Sequence, residues 1–373
     1  MNRYRQMLHE IWQSGVAAVG GKACVLRALG EIAPPPPSLI LAVGKASLPM
    51  CEAALEHFGA AIPALVVAKY GHVARTNDLP VRIIEAGHPT PDGNSLVAGA
   101  ALLEAVAGAG PDDRLVLLIS GGASALAEVP LGLTLEEIRA ENQRMLAEGL
   151  DIHAINARRR SYSRIKGGGL LAAFAGSRAD VLAISDVEGD SLAVIGSGIG
   201  MCPDRQGWSC QGRVIASNAI ARAACARRAA ELGQRAVANE EALYGDVDAL
   251  APAIARRLID GPAGVTILGG EPTVHLPPDP GKGGRAQALA LALARELDGV
   301  PGVLLLVAGT DGTDGPGDAA GAFADGSIWA SRPGGAAALA RADSGSWLAD
   351  AGSLFVSGPT GTNVMDLLIA IRD

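Results

Sequence analysis

Apolar residues along the chain fall into short continuous runs separated by longer helical patterns and by glycine-rich breaks. Residues 1–30 read as helical and amphipathic, and Pro34–Pro37 stop any helix. Ser38–Val43 is then a continuous apolar run that predicts a buried strand, ending in Gly44-Lys45-Ala46-Ser47 before a helix through His57. Ala64–Ala68 and Val81–Ala86 predict two further strands, the second followed by the loop Gly87-His88-Pro89-Thr90-Pro91-Asp92. A helix over Asn94–Gly108 leads to a strand at Leu115–Ile119 and the loop Ser120-Gly121-Gly122-Ala123-Ser124. Thr134 and Glu137 have capping-box spacing for a helix through Gly149. A basic stretch, Asn156–Lys166, runs into Gly167-Gly168-Gly169, and a strand at Val181–Ile184 ends in Ser185-Asp186-Val187-Glu188-Gly189-Asp190. Arg213–Ala216 and Ala236–Val237 flank an Ala/Arg-rich helix. Strands alternating with helices in this way predict a parallel sheet covered on both faces.

Residues 239–264 read as helical. Val265–Leu268 leads into Gly269-Gly270-Glu271, and Gly281-Lys282-Gly283-Gly284-Arg285 opens a long helix. The apolar run Leu304–Ala308 empties into the loop Gly309–Asp318, which holds three aspartates and four glycines. A final element follows Gly361-Thr362-Asn363-Val364 and completes a second α/β unit.

Composition narrows the function classes. The chain has 373 residues, enough for two α/β domains, and only 3% aromatic residues, so its core is built from Ala, Leu, Val and Ile. A net charge of −8 without a long basic run argues against nucleic-acid binding. Five scattered cysteines, none in C-x-x-C spacing, argue against a zinc site or a disulfide framework. With no signal-peptide stretch and no apolar run of membrane-spanning length, the expectation is a soluble cytoplasmic protein that does not engage membranes.

The candidate chemistry is anionic. Lys45 stands just past a strand at a helix start, where a cation is electrostatically misplaced unless an anion is bound there. Gly283, Gly284 and Arg285 offer backbone N–H groups and a guanidinium at a helix start, suited to a phosphate or a carboxylate. Beyond the carboxyl end of a strand in a parallel sheet, the glycines and aspartates of Gly309–Asp318 suit a phosphate and its Mg²⁺. Equally, they suit a turn-rich loop with Asp318 capping a helix. Asp186 and Asp190 could join Asp311 and Asp314 around a metal, or serve as turn and cap residues. The basic cluster Arg158, Arg159, Arg160, Arg164 and Lys166 reads as anion-facing, and His88 as a turn histidine or a ligand. Neither a P-loop nor a G-x-G-x-x-G fingerprint after a strand is present.

Taken together, V-G-K-A at Val43–Ala46, G-H-P-x-P-D at Gly87–Asp92, S-G-G-x-S-A-L at Ser120–Leu126, I-K-G-G at Ile165–Gly168 and S-D-V-x-G-D at Ser185–Asp190 resemble the glycerate kinases with a MOFRL carboxy-terminal domain. G-G-E-x-T-V at Gly269–Val274, the acidic stretch Gly309–Ala322 and G-T-N-V at Gly361–Val364 extend the likeness in order along the chain. The resemblance implies two α/β domains, a Rossmann-like one over residues 1–240 and a smaller MOFRL-type one over 241–373, with the active site in the cleft between them. It implies ATP- and Mg²⁺-dependent phosphorylation of a hydroxyl of D-glycerate or a related small hydroxy acid, and leaves a homodimer open. Lys45 and Arg285 fall on the family's catalytic lysine and arginine. Gly44, Ser120, Gly121, Gly122, Ser124, Lys166, Gly283 and Gly284 would bind nucleotide or phosphate. His88, Arg159 and Arg160 would bind substrate, and Asp186, Asp190, Asp311 and Asp314 the metal. The alternatives are an NAD(P)H-dependent hydroxypyruvate reductase and a binding protein that has lost catalysis. The chain departs from the family pattern at Ala123 and Ile199, and has Ser161 and Ala286 where the family has a histidine and an asparagine; these two smaller side chains predict a roomier acceptor site and a better acceptor than glycerate.

Overall fold

In residues 20–217 the expected strands do form and pair in parallel. The computed structural model describes residues 2–73, 81–148, 152–204 and 207–373. Its first sheet comprises β1 (Leu39–Val43), β2 (Ala64–Lys69), β3 (Val81–Ala86), β4 (Arg114–Ile119), β5 (Arg178–Ile184) and β6 (Ser209–Ala216). Their order is β3-β2-β1-β4-β5-β6 and every neighbouring pair is parallel. This is the doubly wound Rossmann order, in which the direction of winding reverses between β1 and β4 and leaves a crevice at their carboxyl ends. Ile40–Val43 and Leu115–Ile119 are buried throughout, as strands covered on both faces must be. The capping box at Thr134 is formed: Glu137 accepts from the Thr134 amide at 2.7 Å and Thr134 Oγ1 accepts from the Glu137 amide at 3.2 Å. It opens the helix Leu135–Ala147, while Gly149, the expected end, lies outside the described residues.

The second sheet contains β7 (Ala236–Glu241), β9 (Gly264–Gly270), β11 (Val303–Gly309), β12 (Gly321–Asp325), β13 (Leu354–Phe355) and β14 (Asp366–Arg372). A separate parallel pair is formed by β8 (Gly245–Asp246) and β10 (Pro272–Thr273). The sheet order is β13-β12-β11-β14-β9-β7, and only β7 with β9 is parallel. The acidic loop therefore follows a strand with antiparallel neighbours on both sides, β12 and β14, so the strand-end rule for parallel sheets does not apply to it. β7 and β8 also replace the first part of the helix expected from residue 239, which begins only at Val247. The helix Arg285–Glu296 is buried at every position from Ala286 to Ala294, the mark of a helix apolar all round and central to its unit.

The chain divides into two compact units, residues 20–217 and residues 1–19 with 218–373. The division differs from a boundary at 240 in two respects: it falls at residue 217, and the second unit is discontinuous. The physical reason lies in the first helix, Asn2–Ala18, whose Leu8, Ile11 and Trp12 are buried, Trp12 edge-on to Phe355 with ring centroids 5.0 Å apart. It packs on the helix Asn218–Glu231 and on β14. Cysteine spacing also misled: a disulfide joins Cys202 to Cys210, whereas Cys24, Cys51 and Cys225 are free and buried.

Candidate active site

In the unit of residues 20–217 the loops after β1 and β4 are laced together at the switch point. The Ser120 amide donates to Val43 O at 3.0 Å, the Lys45 amide to Gly121 O at 2.9 Å, and the Ala46 amide to Ser120 Oγ at 3.0 Å. Gly44 has φ +130°, and a Cβ there would lie 2.1 Å from Ser120 Oγ, so only glycine lets the two loops approach this closely. A Cβ on Gly121 would lie 1.9 Å from Asp186 Oδ2, and one on Gly122 would lie 2.9 Å from His88 Cδ2 and 3.5 Å from Lys45 Cγ. Three bare glycine surfaces thus bring Lys45, His88 and Asp186 around the β1 and β4 strand ends. Ser124 is half-buried in the short helical turn Ala123–Leu126 that follows, and Asp190 ends the 3-10 turn Glu188–Asp190 after β5.

Burial first, then the positive charges of Lys45, Lys69 and His72, push the His88 imidazole from its ordinary 6.5 down to about 4. It is therefore neutral at physiological pH. A folded-state value below the unfolded one means the unfolded chain binds more protons between pH 4 and 6.5, so stability contributed by neutral His88 is complete above 6.5 and is lost as pH falls toward 4. His88→Gln is expected to flatten that part of the stability profile in denaturant melts; parallel acid losses in both proteins would show that His88 is not the titrating group.

The basic stretch separates into different roles. Lys166 is buried in an ion pair with Glu128, which also accepts from Ser163 Oγ. Burial lowers the Lys166 pKa and Glu128 opposes the shift. Glu128, not singled out by any motif, thus answers the charge assigned above to phosphate. Arg159 is half-buried, donating to Asn142 Oδ1 at 3.1 Å, whereas Arg160 is exposed and lays its stem over Gly167. Arg158 pairs with Glu141 at 3.0 Å. Gly196-Ser197-Gly198 packs on the triple glycine, Ser197 O accepting from the Gly167 amide at 3.0 Å.

In the other unit a cavity of about 550 Å³ is lined by Gly283, Gly284, Arg285, Asp311, Thr313 and Asp314, among others. The two motifs read as phosphate-binding therefore do meet. Arg285 Nε donates to Asp366 Oδ2 at 2.7 Å, and its Nη1 pairs with Glu271. Burial works against the Arg285 charge, but Asp366 and Glu271 outweigh it and raise the pKa further. Asp366, wholly buried, is pushed up by that burial to about 7 despite the opposing guanidinium.

Asp314 sits differently from a metal ligand. Its Oδ1 accepts from the Ala286 amide at 3.1 Å, and its Oδ2 from the Gln287 amide at 2.8 Å and Gln287 Nε2 at 3.0 Å. A carboxylate from a loop 28 residues away thus caps the helix that Arg285 opens. Gly284 permits it, since a Cβ there would lie 2.2 Å from Asp314 Oδ1. Asp318, expected to cap a helix, is exposed and precedes β12 instead. Asp311 Oδ1 accepts from the amide and hydroxyl of Thr313, both at 3.0 Å. Among the described residues no group of three or more Asp, Glu, His or Cys side chains is arranged to hold a metal ion. Ala286 is wholly buried in the core, so its missing amide leaves no gap in the cavity wall, and Ser161 Oγ donates locally to Arg158 O at 2.7 Å.

Known proteins match this chain over most of its length. Residues 7–230 match the family described as Domain of unknown function (DUF4147), and residues 264–366 match the MOFRL family. A D-glycerate 2-kinase of Thermotoga maritima is 35% identical over 89% of this chain and 90% of its own length. A glycerate 2-kinase of Pyrococcus horikoshii is 32% identical over 89% and 86%. A crystal structure of glycerate kinase from Thermotoga maritima covers 100% of both chains with a TM-score of 0.89 at 32% identity.

Proposed function

The chain belongs to the glycerate kinase family that joins a DUF4147 domain to a MOFRL domain, and from that premise we propose that it phosphorylates the 2-hydroxyl of D-glycerate with ATP. Phosphoryl transfer asks a protein mainly for positioning and for charge on the phosphate oxygens. The observation that carries the reading is the 550 Å³ cavity on which Gly283, Gly284, Arg285 and the acidic loop converge. Arg285 would bind a phosphate or carboxylate by exchanging its half-exposed partner Glu271 for the ligand, while Asp366 keeps the guanidinium oriented. In the other unit, Lys45 would supply a point charge and the Gly121 and Gly122 surfaces close backbone approach to a phosphate. Neutral His88 beside Lys45 can accept a proton or a hydrogen bond from a substrate hydroxyl.

Mg²⁺ keeps most of its waters and needs only one or two protein carboxylates alongside phosphate oxygens, so the lack of a metal cage does not conflict with its use. Asp311 at the 550 Å³ cavity and, separately in the other unit, Asp186 are each proposed as a carboxylate for it; Asp314 is committed to the helix. When bound, the ion neutralises charge on the nucleotide phosphates. A cytoplasmic location, where ATP is available, belongs to the same proposal; among the described residues no helix is long and apolar enough to cross a membrane.

With the purified protein, D-glycerate and ATP–Mg²⁺ should give ADP and 2-phosphoglycerate, identified by NMR. Glycerate should be the best of a panel of short hydroxy acids, because Ala286 is buried in the core and leaves the cavity wall unchanged. NADH oxidation by hydroxypyruvate without ADP formation from glycerate would replace the kinase reading with a reductase.

A further inference from the structure

At the end of β11 opposite the acidic loop lies a second cavity, of about 450 Å³, within the roughly 300–1,000 Å³ of small-molecule sites. Val300, Val303, Leu304 and Ile371 give it apolar walls. Its frame is tied by backbone hydrogen bonds, from the Gly299 amide to Gly326 O at 2.8 Å and from the Asp373 amide to Gly302 O at 2.9 Å. Gly326 lies so close to this frame that a Cβ there would be 1.9 Å from Val300 O. Among the described residues the charged ones lining it are Asp325 and Asp373, and none is basic.

Asp325 is the informative group. It is 7% exposed, and its Oδ1 accepts from the Ser327 amide at 2.8 Å and the Ser327 hydroxyl at 2.6 Å. Its Oδ2 is buried without a hydrogen-bond partner among the described residues. Asp373, by contrast, already accepts from Tyr4 Oη at 2.8 Å. Buried acceptors are nearly always satisfied, and an exception beside a cavity calls for a donor that enters it. One available carboxylate oxygen is too few for a Mg²⁺ or Ca²⁺ site, which needs six or more oxygens. An acidic, otherwise apolar cavity suits an organic cation.

We propose that this cavity is a second ligand site that takes a small organic amine, its apolar body against Val303, Leu304 and Ile371 and its ammonium group on Asp325 Oδ2. The site is independent of phosphoryl transfer, since its residues belong to neither candidate cluster.

Benzylamine is the probe, titrated calorimetrically into the full chain beside benzyl alcohol, which keeps the ring and loses the charge. Saturable one-to-one binding of benzylamine is expected, with benzyl alcohol weaker by about tenfold or more, as loss of a charge-assisted bond implies. Asp325→Asn keeps an acceptor for Ser327 and should weaken benzylamine by a similar factor. Val300→Phe should block the cavity without touching the Asp325 turn, and it decides the matter alone if Asp325→Asn fails to fold by circular dichroism. The proposal is overturned if benzylamine gives no saturable heat, if benzyl alcohol binds equally well, or if the folded variants bind benzylamine like the wild type. A benzylamine-soaked crystal showing only water on Oδ2 overturns it as well.

Discussion

Lys45→Ala is expected to lower kcat by about 10²-fold or more, with a smaller change in KM, in a protein that melts like the wild type. Lys45 is half-buried on a loop whose shape is set by backbone and Ser120 hydrogen bonds, so truncation removes charge without removing the scaffold. A preorganised cation is worth most where charge develops on the phosphate oxygens, which is why the loss should fall on kcat. A second readout does not depend on turnover. Lys45 is one of the charges that depress the His88 pKa, so the His88 titration, followed by NMR, should move upward in the variant. Unchanged kcat together with an unmoved His88 titration would remove Lys45 from the site.

Asp314→Ala is expected to cost about 2–4 kcal/mol of stability, because buried donors at the start of the helix Arg285–Glu296 lose their acceptor. Activity should fall along with the melting temperature, since the same helix start presents Arg285. Asp311→Asn should behave in the opposite way, keeping the melting temperature and raising the Mg²⁺ concentration for half-maximal rate. Thermal melts and Mg²⁺ titrations of both variants separate the two roles. An Asp314→Ala protein with wild-type stability and a raised Mg²⁺ requirement would reverse the assignment.

These contrasts mark what a sequence can and cannot convey. β1 and β4 were legible because strands buried on both faces are written as unbroken apolar runs. Lys45 was legible because a cation at a helix start contradicts local electrostatics. The strand at Leu304–Ala308 was equally legible as a strand, yet its antiparallel neighbours were not, since burial on both faces looks the same in either sheet type. Asp314 and Asp311 are chemically alike and three residues apart; only the approach of the helix from residue 285 tells them apart. Asp366 and Glu128, the partners of Arg285 and Lys166, lie 81 and 38 residues from them and carry no local signal. Cys202 and Cys210 were passed over because their spacing matches no metal or redox motif.

The discontinuous unit has a bearing on how the molecule is made. The helix Asn2–Ala18 leaves the ribosome well before β14, at Asp366–Arg372, on which it packs. β14 also sits between β11 and β9 in its sheet, so that sheet cannot close until Asp366–Arg372 has been made. Residues 20–217 can meanwhile assemble their own parallel sheet, leaving Leu8, Ile11 and Trp12 exposed until β14 has been made. A nascent chain stalled after residue 217 would thus carry one finished unit and one sticky helix, an expected substrate for cotranslational chaperones.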